Sequence, residues 1–240
     1  MQRHKTGSLR FAIFITIFST LFGLALLPCP KLASAQAGQG DEAAVNFRWA
    51  FGALVGSDQD KRLEAIQRDT SLSSGDQFKM LVELQDKCFI YLIHQNVQGE
   101  LKLLFPYSLQ QFAMDYEIGK KYYIPRGDAW LALDEQTGSE TLHLLASAQR
   151  IEGIENLWSQ YETAEAAHKS EIGKLILAEI RSVKKNNREL AAQAERPVAI
   201  GGNVRGVKQP LESPHFDVAA LAEEVSAGSF YARAFTIDHR

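Results

Sequence analysis

Two cysteines, three methionines, three tryptophans and seven prolines are all that a chain of 240 residues contains of these types. A scaffold held by several disulfides is excluded by that cysteine count. Cysteine zinc clusters are excluded as well, since they need three or four thiolates. No H-E-x-x-H or H-x-x-x-H spacing occurs among His94, His143, His168, His215 and His239, so a histidine metal centre has no motif behind it. The loop IGGNVRG at residues 200–206 fits neither phosphate-binding glycine pattern and reads as a connector, and G-x-S-x-G is absent. Adjacent acids such as Asp134 and Glu135, or Glu223 and Glu224, do not converge as a glycosidase pair must.

Long apolar runs are scarce too, and the single one is at the amino terminus. Arg3, Lys5 and Arg10 precede the uncharged stretch 11–27, which is followed by Pro28, Pro30 and the small residues Ala33, Ser34 and Ala35. A basic start, an apolar centre and a small-x-small exit describe a secretory signal peptide. Residues 1–35 are therefore expected to be cleaved after Ala35, giving a periplasmic or secreted protein. A retained anchor and lipid attachment at Cys29 are the alternatives, and either leaves the remainder outside the cytoplasm. Cleavage removes four of the 26 basic residues and none of the 29 acidic ones, so the remainder carries a net charge of −7 and one cysteine, Cys88. Nucleic acid and anionic membrane are poor partners for such a chain.

What is present is mostly period two. After a linker at 36–45, Phe47, Trp49 and Phe51 alternate in a half-buried strand, and a polar stretch from Ser57 to Asp76 reads as loop with a helical turn. QFKMLVELQD alternates, with Phe78, Met80, Val82 and Leu84 on one face and Lys79 and Glu83 on the other. CFIYLIHQ, apolar on both faces, and LKLLFP follow across short turns, and the three predict an antiparallel meander. KYYIP, DAWLALD and ETLHLLAS are three further strands, the last two joined at Gly138. From 151 to 195 the period becomes 3.6, with Ile172, Ile176, Ile180 and Val183 on one face, which predicts a helical pair broken near residues 168–170. Residues 196–240 are expected to give a loop, a short helix capped by Asp217 and ended by Gly228, and a closing strand. The fold class expected is α+β, mainly β, with an antiparallel sandwich-like core at 46–150 and a helical annex.

Several landmarks recur along this core: Gly75 and Asp76, Tyr91 and Leu92, Gly99 with Leu104, Phe105 and Pro106, Ile124 and Pro125, then Gly138, Glu140, Ala146 and Ser147. In these the chain resembles the bacterial family called domain of unknown function 4384, from about Leu72 to Ser147. The resemblance implies a compact sandwich-like module of the envelope or secreted space, and it implies no catalytic residues. Physically the landmarks read as scaffold, with glycines where the chain turns and prolines where strands end.

The tripeptide Arg126-Gly127-Asp128 matches an adhesion string, but it connects two expected strands and reads as a bend with Gly127 at the turn. Tyr107, Tyr116, Tyr122 and Tyr123 gather about the least patterned segment and are the candidate contact surface. Cys88 lies in an apolar strand, where a thiol packs as a small hydrophobe. The function expected is a non-enzymatic exported module that binds a protein partner or envelope component, with no cofactor, metal or catalytic residue. The alternatives are an exported hydrolase using Cys88, with His94 or His143 as base, or an acid pair including Glu140, and a small-ligand sensor using the sheet face and the 107–123 loop.

Overall fold

Alternation places aromatic side chains on one face of the first strand, and the computed structural model, which describes residues 44–57, 60–187 and 216–240, shows what that face meets. Strand β1 (Val45–Val55) pairs antiparallel with β4 (Gln77–Leu84), from Phe47 opposite Leu84 to Leu54 opposite Gln77. Its other edge takes β10 (Glu223–Ala227) along the first half and β2 (Arg62–Ala65) along the second. Beyond β4 lie β7 (Lys121–Ile124) and the two-residue β8 (Leu131–Ala132), which complete the first sheet.

The second sheet runs β3 (Asp69–Leu72), β11 (Phe230–His239), β9 (Gly138–Ser147), β5 (Phe89–Gln95), β6 (Leu101–Phe105). Only the β3–β11 pair is parallel. Between the sheets, Phe47, Trp49 and Phe51 face Leu142, Leu144 and Phe235 in a common core. The ring centroid of Phe235 is 4.8 Å from that of Trp49 and 5.5 Å from that of Phe51. Period-two alternation thus fills the interior from both sides.

The second sheet is buried on its outer face as well. Tyr91, Ile93 and Leu145 point away from the sandwich and pack against α2 (Glu152–Thr163) and α3 (Ala166–Asn186) through Ile154, Trp158, Tyr161, Ile176 and Ile180. This is why β5 is apolar on both faces. A short helix α1 (Gln111–Met114) lies between β6 and β7. The architecture is α+β and mainly β, a sandwich with a helical hairpin on one side.

Several expectations are corrected. The three strands from Gln77 to Phe105 do not form a meander, because β4 already has partners on both edges in the first sheet and the chain crosses to the second before β5. The connection before Gly138 also crosses between sheets, from β8 to β9, rather than closing a hairpin. The stretch from Ser57 to Asp76 contains β2 and β3 in place of a helical turn. The helical break falls at Ala164 and Glu165, whose extended backbones reverse the chain, and residues 168–170 lie in the first turns of α3.

Asp217 does cap a turn, its side chain accepting from the Ala219 amide at 2.9 Å, but only Val218–Leu221 is helical, and of the 3-10 type. Glu223–Ala227 is strand β10, and Gly228 sits in the β10–β11 turn. A helix of three turns is marginal alone, whereas the open edge of β1 offers a complete ladder. The expected signal peptide and linker up to residue 43, and residues 188–215, lie outside the described residues. No described helix is long and apolar enough to cross a membrane.

Candidate functional site

The bend between β7 and β8 carries the Arg-Gly-Asp string, and the fold uses each part of it. Gly127 has φ +69°, a conformation that favours glycine. Its carbonyl accepts a hydrogen bond from Lys79 Nζ. The Arg126 guanidinium stacks on Tyr107, 3.9 Å from the ring centroid. Ile124-Pro125, like Phe105-Pro106, is a cis peptide.

Lys79 itself is a surprise of placement. Alternation puts it on the face of β4 opposite Phe78 and Met80, and there it is only 5% exposed. The outer face of the first sheet is covered there: Ala50 and Leu81 pack beneath Val218, with Trp130 and Tyr123 alongside. Lys79 Nζ lies 5.3 Å from the Tyr123 ring centroid and 5.7 Å from that of Trp130. Burial lowers its pKa, while the negative charges of Asp128 and Asp217 act in the opposite sense. Together with Phe216 these residues line a cleft of about 490 Å³. The sequence did hold one signal for this site, since Leu81 interrupts the expected polar face between Lys79 and Glu83.

The four tyrosines proposed as a contact surface are tied into the fold. Tyr122 is buried, and its hydroxyl accepts from the Glu117 amide at 2.7 Å. The Tyr116 hydroxyl accepts from the Ile90 amide at 2.9 Å, and burial raises its pKa. Tyr107 donates to the Tyr123 carbonyl at 2.6 Å, and Tyr123 donates to Asp217 at 3.3 Å. What the same segment does present to solvent is Met114, 80% exposed, and Ile118, 60% exposed. Ile118 borders an apolar groove of about 500 Å³ floored by Leu84, Phe89, Phe112 and Tyr116, with Lys87 and Arg150 at its rim.

Cys88 also lies against that groove, but it is fully buried and its thiol pKa is pushed up to about 12, by burial first. Such a thiol stays protonated and does not act as a nucleophile at neutral pH. The two candidate bases are out of its reach. His94 is six residues further along β5, about 20 Å at a strand's rise. His143 pairs in register with Ile93, near that same distant end.

His94 and Glu140 instead belong to a partly buried polar chain. His94 Nε2 is 2.7 Å from Glu140 Oε2, Glu140 Oε1 is 3.9 Å from His239 Nδ1, and His239 Nε2 is 3.1 Å from the Ser74 hydroxyl. The order hydroxyl, imidazole, carboxylate resembles a nucleophilic relay, but the closest partner of Glu140 is His94, and 3.9 Å exceeds a hydrogen bond. Around Ser74 the backbone amides of Ser73, Ser74, Gly75 and Asp76 all donate within the fold, to Asp76 Oδ2 and to the carbonyls of Arg240, Leu133 and Ser73. That turn offers no amide to a developing oxyanion. The chain acts as a clasp between β3, β5, β9 and β11, and it gives the landmark residues Gly75, Asp76 and Glu140 a physical role.

The remaining landmarks are also scaffold: Gly99 turns the chain between β5 and β6 at φ +81°, and Phe105 is fully buried. Among the described residues no group of three or more His, Cys, Asp or Glu is placed to hold a metal ion.

Compared with known proteins, residues 71–150 match the family model described as a domain of unknown function (DUF4384). The match runs from the end of β3 through β9 and leaves out β1, the helical hairpin, β10 and β11. No curated protein and no solved structure matches the chain.

Proposed function

We propose, from the premise that residues 71–150 are a domain of the DUF4384 family, that the protein is a non-enzymatic binding module acting outside the cytoplasm. The groove beside α1 receives an apolar segment of a partner protein. The observation that carries this reading is Ile118, 60% exposed at the border of a groove with an aromatic floor, with Met114, 80% exposed, on the same segment. Large apolar side chains gain about 25 cal/mol for each Å² removed from water, and methionine adapts its shape to what it meets. The tyrosines that hold residues 107–123 in place keep this surface formed before a partner arrives, which lowers the ordering cost of association. Address enters from the amino-terminal segment: a basic start, an apolar run and Ala33-Ser34-Ala35 support export.

The test is a photo-crosslinking residue at position 118 in the exported protein, followed by affinity measurement on whatever partner is recovered. A chain with both Met114→Ser and Ile118→Ser is expected to keep its melting temperature and to bind that partner at least about tenfold more weakly. Equal affinity of the double variant overturns the reading, as does exported protein that cross-links to nothing.

A further inference from the structure

The cleft over the outer face of the first sheet is separate from the groove beside α1, and its charges are arranged differently. We propose that it binds a small zwitterion of the amino-acid type with an apolar side chain. The ligand's carboxylate meets Lys79, its ammonium meets Asp128 and Asp217, and its apolar part lies against Trp130 and Phe216.

Lys79 is 5% exposed, and the only hydrogen bond of its ammonium among the described residues goes to the Gly127 carbonyl. An ammonium group has three donors, so two remain for a ligand. No described carboxylate lies within ion-pair distance of it, and a buried charge without such a partner bears a desolvation cost that an incoming carboxylate offsets. The rings of Tyr123 and Trp130, at 5.3 and 5.7 Å, hold the ammonium head where it is.

The acids decide the class of ligand. Asp128 and Asp217 line the same cleft. Asp128 has no hydrogen bond or ion pair with a described residue, and Asp217 uses one oxygen for Tyr123 and the Ala219 amide. A simple anion would face two carboxylates, and a simple cation would face Lys79. A molecule carrying both charges is complementary to all three groups, and about 490 Å³ falls in the range of small-molecule sites.

Calorimetric titration of the full chain tests this with three probes: L-phenylalanine, phenylpropionate, which lacks the ammonium, and phenethylamine, which lacks the carboxylate. Phenylalanine is expected to bind saturably, and each single-charge probe at least about tenfold more weakly. Lys79→Met is expected to abolish phenylalanine binding. Asp128→Asn, a change at an exposed residue that keeps the proposal testable should the lysine variant not fold, is expected to weaken phenylalanine and leave phenylpropionate no weaker. The proposal is overturned by no saturable phenylalanine binding below about 10 mM, by a single-charge probe that binds as tightly, or by unchanged phenylalanine affinity in Asp128→Asn. The double variant at Met114 and Ile118 should bind phenylalanine normally, so this site and the groove fail or succeed separately.

Discussion

His143 shows how one residue ties stability to pH. Among the described residues its ring nitrogens have no hydrogen-bond partner, and burial lowers its pKa to about 4 from 6.5, with the charge of Lys184 and then His94 adding to the effect. The unfolded chain takes up a proton near pH 6.5 and the folded chain only near 4, so between these values the unfolded state binds more protons and stability falls as pH falls. The contribution is intact above pH 6.5 and is lost, on the order of 3 kcal/mol, as pH falls from there through 4. His143→Leu is therefore expected to gain on the natural chain more at pH 5 than at pH 7.5 in urea unfolding. Parallel pH profiles would contradict this account. At this scale the sequence was informative about Cys88, whose apolar neighbours announce a buried thiol. It was misleading about Lys79, because alternation reports which face a residue is on and says nothing of what later covers that face.

Gly138 marks where the chain leaves one sheet and enters the other. A Cβ there would lie 2.7 Å from Val97 Cγ1, and φ is +145°. Valine is stiff at χ1 and cannot swing aside. Gly138→Ala should cost about 1–3 kcal/mol in denaturant unfolding. Adding Val97→Ala should recover the contact and leave the backbone strain; full recovery would mean that the backbone conformation costs nothing. The strands of the core were legible because their alternation survives in either sheet. Their partners were not, because short turns after β4 and β8 look alike whether the chain doubles back or crosses the sandwich. The 3.6 period from Ile151 named the helical face through Ile176 and Ile180, both buried against the second sheet. It could not place the break, since no glycine or proline marks Ala164. Residues 217–228 misled for a related reason: Asp217 and Gly228 sit where helix caps would, and only pairing with β1 decides that Glu223–Ala227 is a strand.

For the whole molecule, the export reading rests on the amino-terminal segment and makes a direct prediction. Protein recovered from outside the cytoplasm should begin at Gln36, as read by amino-terminal sequencing; a first residue before 28 would point to a retained anchor, and a lipid on Cys29 to the other alternative. The candidate sites were only partly legible at this scale. Within the segment 107–123 the tyrosines are held by hydrogen bonds, and the large apolar groups it exposes are Met114 and Ile118. The zwitterion cleft joins β4, the 126–130 bend and residues 216–218, and no local pattern announces a meeting of three such distant stretches.

Strand β11 also sets a schedule. It lies between β9 and β3, and Ser71 bonds Asp238 across 167 residues of chain. At ordinary rates of elongation roughly ten to thirty seconds separate the synthesis of those two strands. Until β11 is made, β3 lacks the neighbour it pairs with and β9 has one edge open, so the second sheet stays incomplete however well its earlier strands are made. For the export proposed above, which threads unfolded chains, this order of synthesis delays closure of the fold.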